Sequence, residues 1–137
     1  MVANLMKPSV LHFVLCDDAR PDSHNLHKIN VYGMLFNVRS RRVPAFPCVL
    51  PLMSALVILR GGQGTGEMYL RVVQQETGRI ITQSETRRGI RFSGDVNEVK
   101  GSMIRLQDCR LPNEGLYWVE LVLSGERIAR QPLRVTS

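Results

Sequence analysis

The sequence predicts an all-β domain, an antiparallel β-sandwich of seven or eight strands of the Ig-like or C2-like kind. Within several short segments every second residue is apolar, and this period of two residues is that of a strand with one buried face. Turn-forming residues separate these segments, and no run of ten or more residues carries the period and caps of a helix. We interpret residues 1–137 as a single domain. A small β-barrel is the alternative, because strand spacing does not distinguish it from a sandwich.

The C-terminal part of the chain predicts a hairpin. Every second residue from Tyr117 to Leu123 is apolar, so this segment has one apolar face. Ser124-Gly125-Glu126 is typical of a tight turn, and Arg127–Val135 then returns as the partner strand. Pro132 lacks the N–H that a β-ladder requires, so we expect this last strand at a sheet edge or with a bulge.

A second hairpin is predicted in the middle of the chain. Met68, Leu70 and Val72 alternate with other residues before the turn sequence Glu76-Thr77-Gly78. Glycine adopts the positive φ that such turns need, and Arg79 to Ser84 then runs back. Further on, residues 103–109 predict the strand that precedes the C-terminal hairpin.

The first half of the chain predicts three more strands, at Val10–Cys16, Lys28–Val38 and Leu52–Arg60. In Lys28–Val38 both alternating sets of side chains are apolar. Because both faces of such a strand need cover, we predict a central strand beneath a covering layer.

Charge and cysteine content limit the class of protein. The formal net charge of +6 suits a soluble domain and also attracts an anionic partner. Three cysteines are too few and too widely spaced for a disulfide framework. Residues 1–8 contain no apolar run of signal-peptide length, and three prolines interrupt the apolar run Val43–Leu59. We therefore expect a soluble, cytoplasmic protein without a membrane segment.

Two blocks of the sequence resemble a bacterial family of small domains. The first block joins Leu15-Cys16-Asp17-Asp18, residues 28–38 and Pro44-Ala45-Phe46-Pro47, and it is similar to the family's "cD…K…iyGif…fPa" opening. The second block, Leu111–Glu120 with its following Gly125 and Pro132, resembles the family's "fp..G.Y.f" ending. The resemblance covers most of the chain and implies a bacterial β-sandwich. The family is functionally uncharacterised, so it assigns no site residue here.

The sequence contains no recognisable catalytic motif. Gly-x-Ser-x-Gly is missing, and the glycines of residues 61–66 precede a predicted strand rather than the Lys-Ser/Thr and helix of a phosphate-binding loop. We therefore predict that the protein is not an enzyme and requires no cofactor.

The densest group of candidate metal ligands lies near the N-terminus, at Cys16, Asp17, Asp18, His24 and His27. Thiolate, carboxylate and imidazole are all zinc ligands. The same segment has the composition of a connecting loop, whose carboxylates accept hydrogen bonds from backbone N–H groups. We assign no metal ligand, and a metal-dependent activity in this region is the third functional hypothesis.

Two groups of arginines are candidates for binding an anion or a partner: Arg39, Arg41 and Arg42, and Arg87, Arg88 and Arg91. A guanidinium group binds phosphate or carboxylate in a bidentate manner. Few aromatic residues lie among these arginines, and single-strand nucleic-acid binders depend on aromatic stacking. Nucleic acid is therefore the less favoured partner.

The proline-rich segment Pro44–Leu52 and its surroundings supply a candidate apolar interface, formed by Phe46, Val49, Leu50 and Met53. Such a segment either fills the end of the core or forms an exposed patch for a protein partner. The leading functional hypothesis is a non-catalytic interaction or assembly module that self-associates or binds another protein. The alternative is a module that binds an anion or nucleic acid through its arginines.

Overall fold

The computed structural model describes residues 6–85 and 87–137, and these residues form ten strands and no helix. Residues 1–5 of the N-terminal segment lie outside the described residues. The strands are β1 (Ser9–Pro21), β2 (Ile29–Met34), β3 (Asn37–Arg39), β4 (Cys48–Arg60), β5 (Gln63–Gln74), β6 (Ile80–Gln83), β7 (Arg88–Ser93), β8 (Val99–Leu111), β9 (Gly115–Leu123) and β10 (Glu126–Thr136). The described residues accordingly include no helix long and apolar enough to cross a membrane.

The strands form two sheets, which confirms the predicted all-β sandwich. The four-stranded sheet has the order β2-β1-β4-β8. The six-stranded sheet has the order β3-β10-β9-β5, and both β6 and β7 pair with β5. Every pairing is antiparallel except that of β3 with β10. The ten strands exceed the expected seven or eight because Lys28–Val38 is divided into β2 and β3, and because β7 is a strand that the sequence pattern did not predict.

The core lies between the two sheets. Met53 and Val57 project into it from β4, and Leu70 from β5 and Leu121 from β9 meet them from the opposite sheet; all four side chains are fully buried. Because successive side chains of a strand point to opposite faces, the intervening residues of each strand form the two outer faces. These outer faces carry the candidate functional surfaces.

Both predicted hairpins are confirmed. Strands β9 and β10 are joined by Ser124 and Gly125, whose φ angles are 48° and 83°. Strands β5 and β6 are joined through a turn in which Gly78 has a φ of 69°. The turn residues recognised in the sequence therefore occupy the backbone conformations that those turns need.

The prediction for Pro132 is also confirmed. Strand β3 pairs with β10 only at Arg134–Thr136, so Pro132 lies on a stretch of β10 that β3 does not cover. A register shift between Arg127 and Ala129 also marks an irregularity in the β9–β10 ladder. Proline within a sheet is tolerated at edges and bulges, where a neighbouring strand does not require its N–H.

The prediction of a central strand at Lys28–Val38 is wrong. The segment forms β2, which is the outermost strand of the four-stranded sheet, and β3, which is the outermost strand of the other sheet. All six residues of β2 are exposed. Both alternating sets of side chains are apolar, but the described chain covers little of this strand.

Candidate functional site

Strand β1 has two different partners along its length. Residues 9–16 pair with β4, whereas residues 16–21 pair with β2. The pairing with β4 ends where Cys16 meets Ser54. The second half of β1 and all of β2 therefore extend past the β4 ladder as a hairpin, which we call the arm (residues 16–34).

One face of the arm packs against the outer face of the four-stranded sheet. Ala19 forms a buried apolar cluster with Cys16 and Leu56. Ile29 lies close to β8, because a Cβ on Gly101 would be 3.8 Å from the Ile29 Cδ1 atom. The arm is therefore held at a defined position on the sheet.

Polar contacts at the base of the arm fix this position. The Ser54 hydroxyl donates a hydrogen bond of 3.1 Å to the Asp17 carbonyl. Gly33 has a φ of 64°, and a Cβ there would overlap the Asp17 carboxylate. Glycine adopts this positive φ without strain, whereas another residue there would be strained and would displace the Asp17 side chain.

Asp18 joins the arm to the edge strand β8. The Arg20 Nε donates to its carboxylate at 2.6 Å, and an Arg105 Nη2 lies 3.5 Å away. The hydrogen bond from Arg20, aided by the charges of both arginines, holds the pKa of Asp18 below its usual value. The carboxylate is thus engaged in ion pairs within the described chain.

The hairpin separates the candidate metal ligands, none of which the sequence analysis assigned. His24 and His27 lie exposed at the tip, where their backbone N–H groups donate to the side chains of Asp22 and Asn25 at 2.8 and 3.0 Å. Asp17 and Asp18 lie at the base. Within residues 6–85 and 87–137, no three His, Cys, Asp or Glu side chains come together in a way that would hold a metal ion.

The outward surface of the arm and the chain that follows it are apolar. Tyr32 is 49% exposed, Met34 and Phe36 are each 65% exposed, and Leu26 at the tip is 78% exposed. The Arg20 guanidinium lies 5.8 Å from the centre of the Tyr32 ring. These four exposed apolar side chains lie within residues 26–36, and exposed apolar surface is a feature of interaction sites.

The segment around Pro44–Leu52 fills the end of the core. Phe46 and Leu50 are half-buried and pack against the core, Val49 is also half-buried, and Met53 is fully buried. Of the two roles considered for this segment, its packing matches the structural one. Met53 in particular is not available to a partner of the folded chain.

The two arginine groups do not converge. Arg39 is on β3 and Arg91 is on β7, at opposite sides of the six-stranded sheet. Four strand spacings of about 4.8 Å separate them, or about 19 Å. Arg88 faces the other sheet and donates to the Met103 carbonyl of β8 at 3.2 Å. Arg41 and Arg42 lie exposed in the loop after β3.

A different set of arginines comes together on the outer face of the six-stranded sheet, which we call the basic face. At its centre Glu120 is 5% exposed. Arg71 Nε on β5 donates to one of its oxygens at 2.6 Å, and Arg127 Nη1 on β10 donates to the other at 3.0 Å. Burial raises the pKa of Glu120, but the hydrogen bonds and charges of the two arginines outweigh burial and lower it overall.

Two further arginines stack on aromatic rings of the basic face. The Arg87 guanidinium lies 4.2 Å from the centre of the Tyr69 ring, and the Arg130 guanidinium lies 3.9 Å from that of Trp118. The Trp118 Nε1 also donates to the Gln75 side chain. Sequence reasoning missed this group because its members are on separate strands. The available signal was their alternation with core residues, as Tyr69 alternates with Leu70.

An open cleft of about 530 Å³ lies between β6 and β8. Arg88 and Arg105 line it, together with Glu85 and Asp108. Both arginines already hold partners, namely the Met103 carbonyl and Asp18. The described residues that line the cleft include no Cys, His or Ser, so the geometry offers none of these nucleophiles at this position.

The three thiols are expected to be unreactive in the folded protein. All three are free and buried. Burial raises the pKa of Cys109 to about 11, with a smaller contribution from the nearby Cys48. Burial also raises the pKa of Cys16, with smaller contributions from the charges of Asp18 and Asp17. Since the thiolate is the reactive form, labelling with a disulfide reagent at pH 8 is expected to be about 100-fold slower in buffer than in denaturant. A thiol that reacts equally fast in both conditions contradicts this expectation.

The fold and these surfaces define a small β-sandwich domain with an apolar arm on one sheet and an arginine-rich face on the other. The chain belongs to a family of unknown function, DUF6941, whose model matches residues 11–136. This confirms the expected membership of an uncharacterised family of small domains. No curated protein matches the chain.

Three solved structures of a beta-glucosidase from Listeria innocua, in complex with isofagomine, glucose and gluconolactone, are similar in part. Each is 12% identical, with TM-scores of 0.41, 0.40 and 0.40, and each match covers 92% of this chain. The chain spans only 16% of the length of those structures. A likeness of this size carries no argument about activity.

Proposed function

We propose that this domain is a non-catalytic assembly module that pairs with a second copy of itself through the arm. The observation that carries the proposal is the state of β2. It is the outermost strand of its sheet, and its six residues are exposed although they include Ile29, Val31, Tyr32 and Met34. One face of the arm packs on its own sheet, and a second copy paired along the β2 edge covers part of the apolar surface that remains exposed.

The edge of β2 lacks the features by which proteins prevent strand pairing. Natural edge strands are commonly very short or carry charges or proline. Among the described edges, β3 and β6 have three and four residues. Strand β7 carries Arg88 and Arg91, and β8 carries Lys100 and Arg105. Strand β2, with the sequence INVYGM, has neither a charge nor a proline.

Two copies of β2 are compatible as antiparallel neighbours. A two-fold axis between the two β2 strands brings the same surface of each copy together. No like charges then face each other within the strand pair, because β2 contains none. Burial of a large apolar side chain contributes about 1.5–3 kcal/mol, and Tyr32 and Met34 are buried twice. Because both side chains are already partly buried, this burial offsets part of an association cost of about 4–15 kcal/mol, and the backbone hydrogen bonds between the paired strands contribute the rest.

The oligomeric state measured over a concentration series tests the proposal. The wild-type chain has a mass of 15.5 kDa, and sedimentation equilibrium is expected to give about twice this mass at high concentration. Met34→Lys places an ammonium group in the apolar contact, which costs at least about 1–3 kcal/mol. The dimer is therefore expected to weaken by about tenfold or more.

Val43→Lys is the matched control. Val43 is 97% exposed and lies outside the arm, so the same change of side chain there is expected to leave the dimer unchanged. A wild-type chain that stays monomeric overturns the proposal. So does a dimer that Met34→Lys and Val43→Lys affect equally.

We further infer that the module acts in the bacterial cytoplasm. The three free, buried cysteines support a reducing compartment, because such compartments keep thiols unpaired. The resemblance to a bacterial family supports the source. Fractionation of producing cells into cytoplasm, membrane and periplasm tests the location.

A further inference from the structure

The basic face is a second surface, separate from the arm, and it carries most of the net charge of the chain. Seven arginines and two glutamates, Glu67 and Glu120, lie on this face. They leave an excess of five positive charges in a chain of net charge +6. The arginines are Arg39, Arg71, Arg87, Arg91, Arg127, Arg130 and Arg134. Their positions follow from the register, because each strand member adjoins a residue whose side chain enters the core, as Arg134 adjoins Leu133.

The guanidinium groups at the centre of this face are held in place before any ligand arrives. Glu120 fixes Arg71 and Arg127, and the rings of Tyr69 and Trp118 hold Arg87 and Arg130. Groups that are already ordered lose less conformational entropy on binding. This arrangement therefore favours an anionic ligand that uses several arginines at once.

The composition of the basic face distinguishes nucleic acid from an acidic protein. Protein interfaces have an apolar centre in which charged residues are depleted. Among residues 6–85 and 87–137, Ile80 is the only exposed large apolar side chain that belongs to a strand of the six-stranded sheet. The centre of the face is instead occupied by charged groups, as in interfaces with nucleic acids.

We propose that the basic face binds single-stranded nucleic acid, chiefly through its phosphates. The face is a sheet surface about 19 Å wide from β3 to β7, and a flexible strand can follow arginines spread over five strands better than a stiff duplex can. Arg87 and Arg130 each have one guanidinium face against a ring. Because both side chains are exposed, the opposite face of each guanidinium is proposed to stack on an unpaired base, as guanidinium planes do in RNA recognition.

Fluorescence anisotropy with a labelled homopolymeric DNA oligonucleotide tests the proposal over a range of salt concentrations. The protein is expected to bind, with a logarithmic salt slope of about 0.7 per phosphate contacted. The double variant Arg87→Gln, Arg130→Gln is expected to bind about tenfold or more weakly at low salt, with a slope reduced by about 1–2. Both side chains are exposed, and urea denaturation of the variant checks that it remains folded.

The matched control is Arg60→Gln, Arg110→Gln, which removes the same charge from exposed positions on the four-stranded sheet, outside the basic face. Its affinity is expected to stay within about twofold of the wild type. Both double variants lose the same long-range electrostatic attraction, but only the first loses contacts on the basic face. Equal loss in the two double variants overturns the proposal, as does the absence of binding at low salt. Tighter binding of a duplex of the same length, or equally effective competition by polyglutamate, also overturns it.

Discussion

Replacement of Tyr117 by alanine is expected to lower the free energy of unfolding by about 3–5 kcal/mol, the cost of removing a large aromatic side chain from a packed core. The Tyr117 side chain is fully buried. Its hydroxyl donates to the Asn113 carbonyl at 2.7 Å and accepts from the Asn113 N–H at 3.1 Å. Asn113 is in the connection from β8 to β9, where the chain passes between the sheets. Tyr117 thus stabilises both the core and this crossing.

Tyr117→Phe separates these two contributions. It keeps the ring and removes the hydroxyl, so we expect a loss of about 1–2 kcal/mol from the unpaired Asn113 groups. Urea denaturation followed by tryptophan fluorescence measures both variants. A Tyr117→Ala variant within 1 kcal/mol of the wild type contradicts the packing described for this side chain.

Replacement of Glu120 by glutamine is expected to cost about 2 kcal/mol at neutral pH. Loss of one member of a buried ion pair costs about 3–5 kcal/mol, and the partial exposure of the Arg71 and Arg127 side chains, 25% and 47%, reduces this figure. Glu67→Gln is the control on the same face. Glu67 is exposed, so its replacement is expected to change stability by less than about 0.5 kcal/mol.

The cost of Glu120→Gln is also expected to depend on pH. The pKa of Glu120 is lowered in the folded protein, so its carboxylate stabilises the fold above its unfolded-state pKa of about 4.3. This stabilisation is lost as the pH falls through the lower folded-state pKa. The difference between wild type and variant is therefore expected to be full at pH 7 and to shrink below about pH 4. Urea denaturation at several pH values measures it, and a difference that grows towards acid contradicts the ion-pair description.

Local signals in the sequence were sufficient for the strands and their tight turns. The alternation from Tyr117 to Leu123 and the glycines at positions 78 and 125 depend only on neighbouring residues. Side-chain direction in a strand has a period of two whatever the strand pairs with, and a positive φ favours glycine in any fold. The missing N–H of Pro132 is also a local property. It predicted a position at an edge or with a bulge, and β3 leaves that part of β10 uncovered.

The candidate surfaces required the tertiary structure. Lys28–Val38 has the apolar pattern of a covered strand, and only the sheet order places β2 at an edge. The two groups of arginines that were selected as neighbours in sequence do not meet, since Arg39 of one group and Arg91 of the other lie at opposite sides of one sheet. Those that meet, Arg71 and Arg127, are brought together by Glu120 on the strand between them.

The sequence by itself thus determined the all-β class, the hairpins and the inward-facing residues of the C-terminal strands. The tertiary structure decided the order of the strands, the exposure of the arm and the composition of the basic face. The physical reason is the range of the interactions: alternation and turn conformation depend on adjacent residues, whereas strand order depends on pairings between distant segments. Glu120 and Arg71, 49 residues apart, lie 2.6 Å from each other only because β5 pairs with β9.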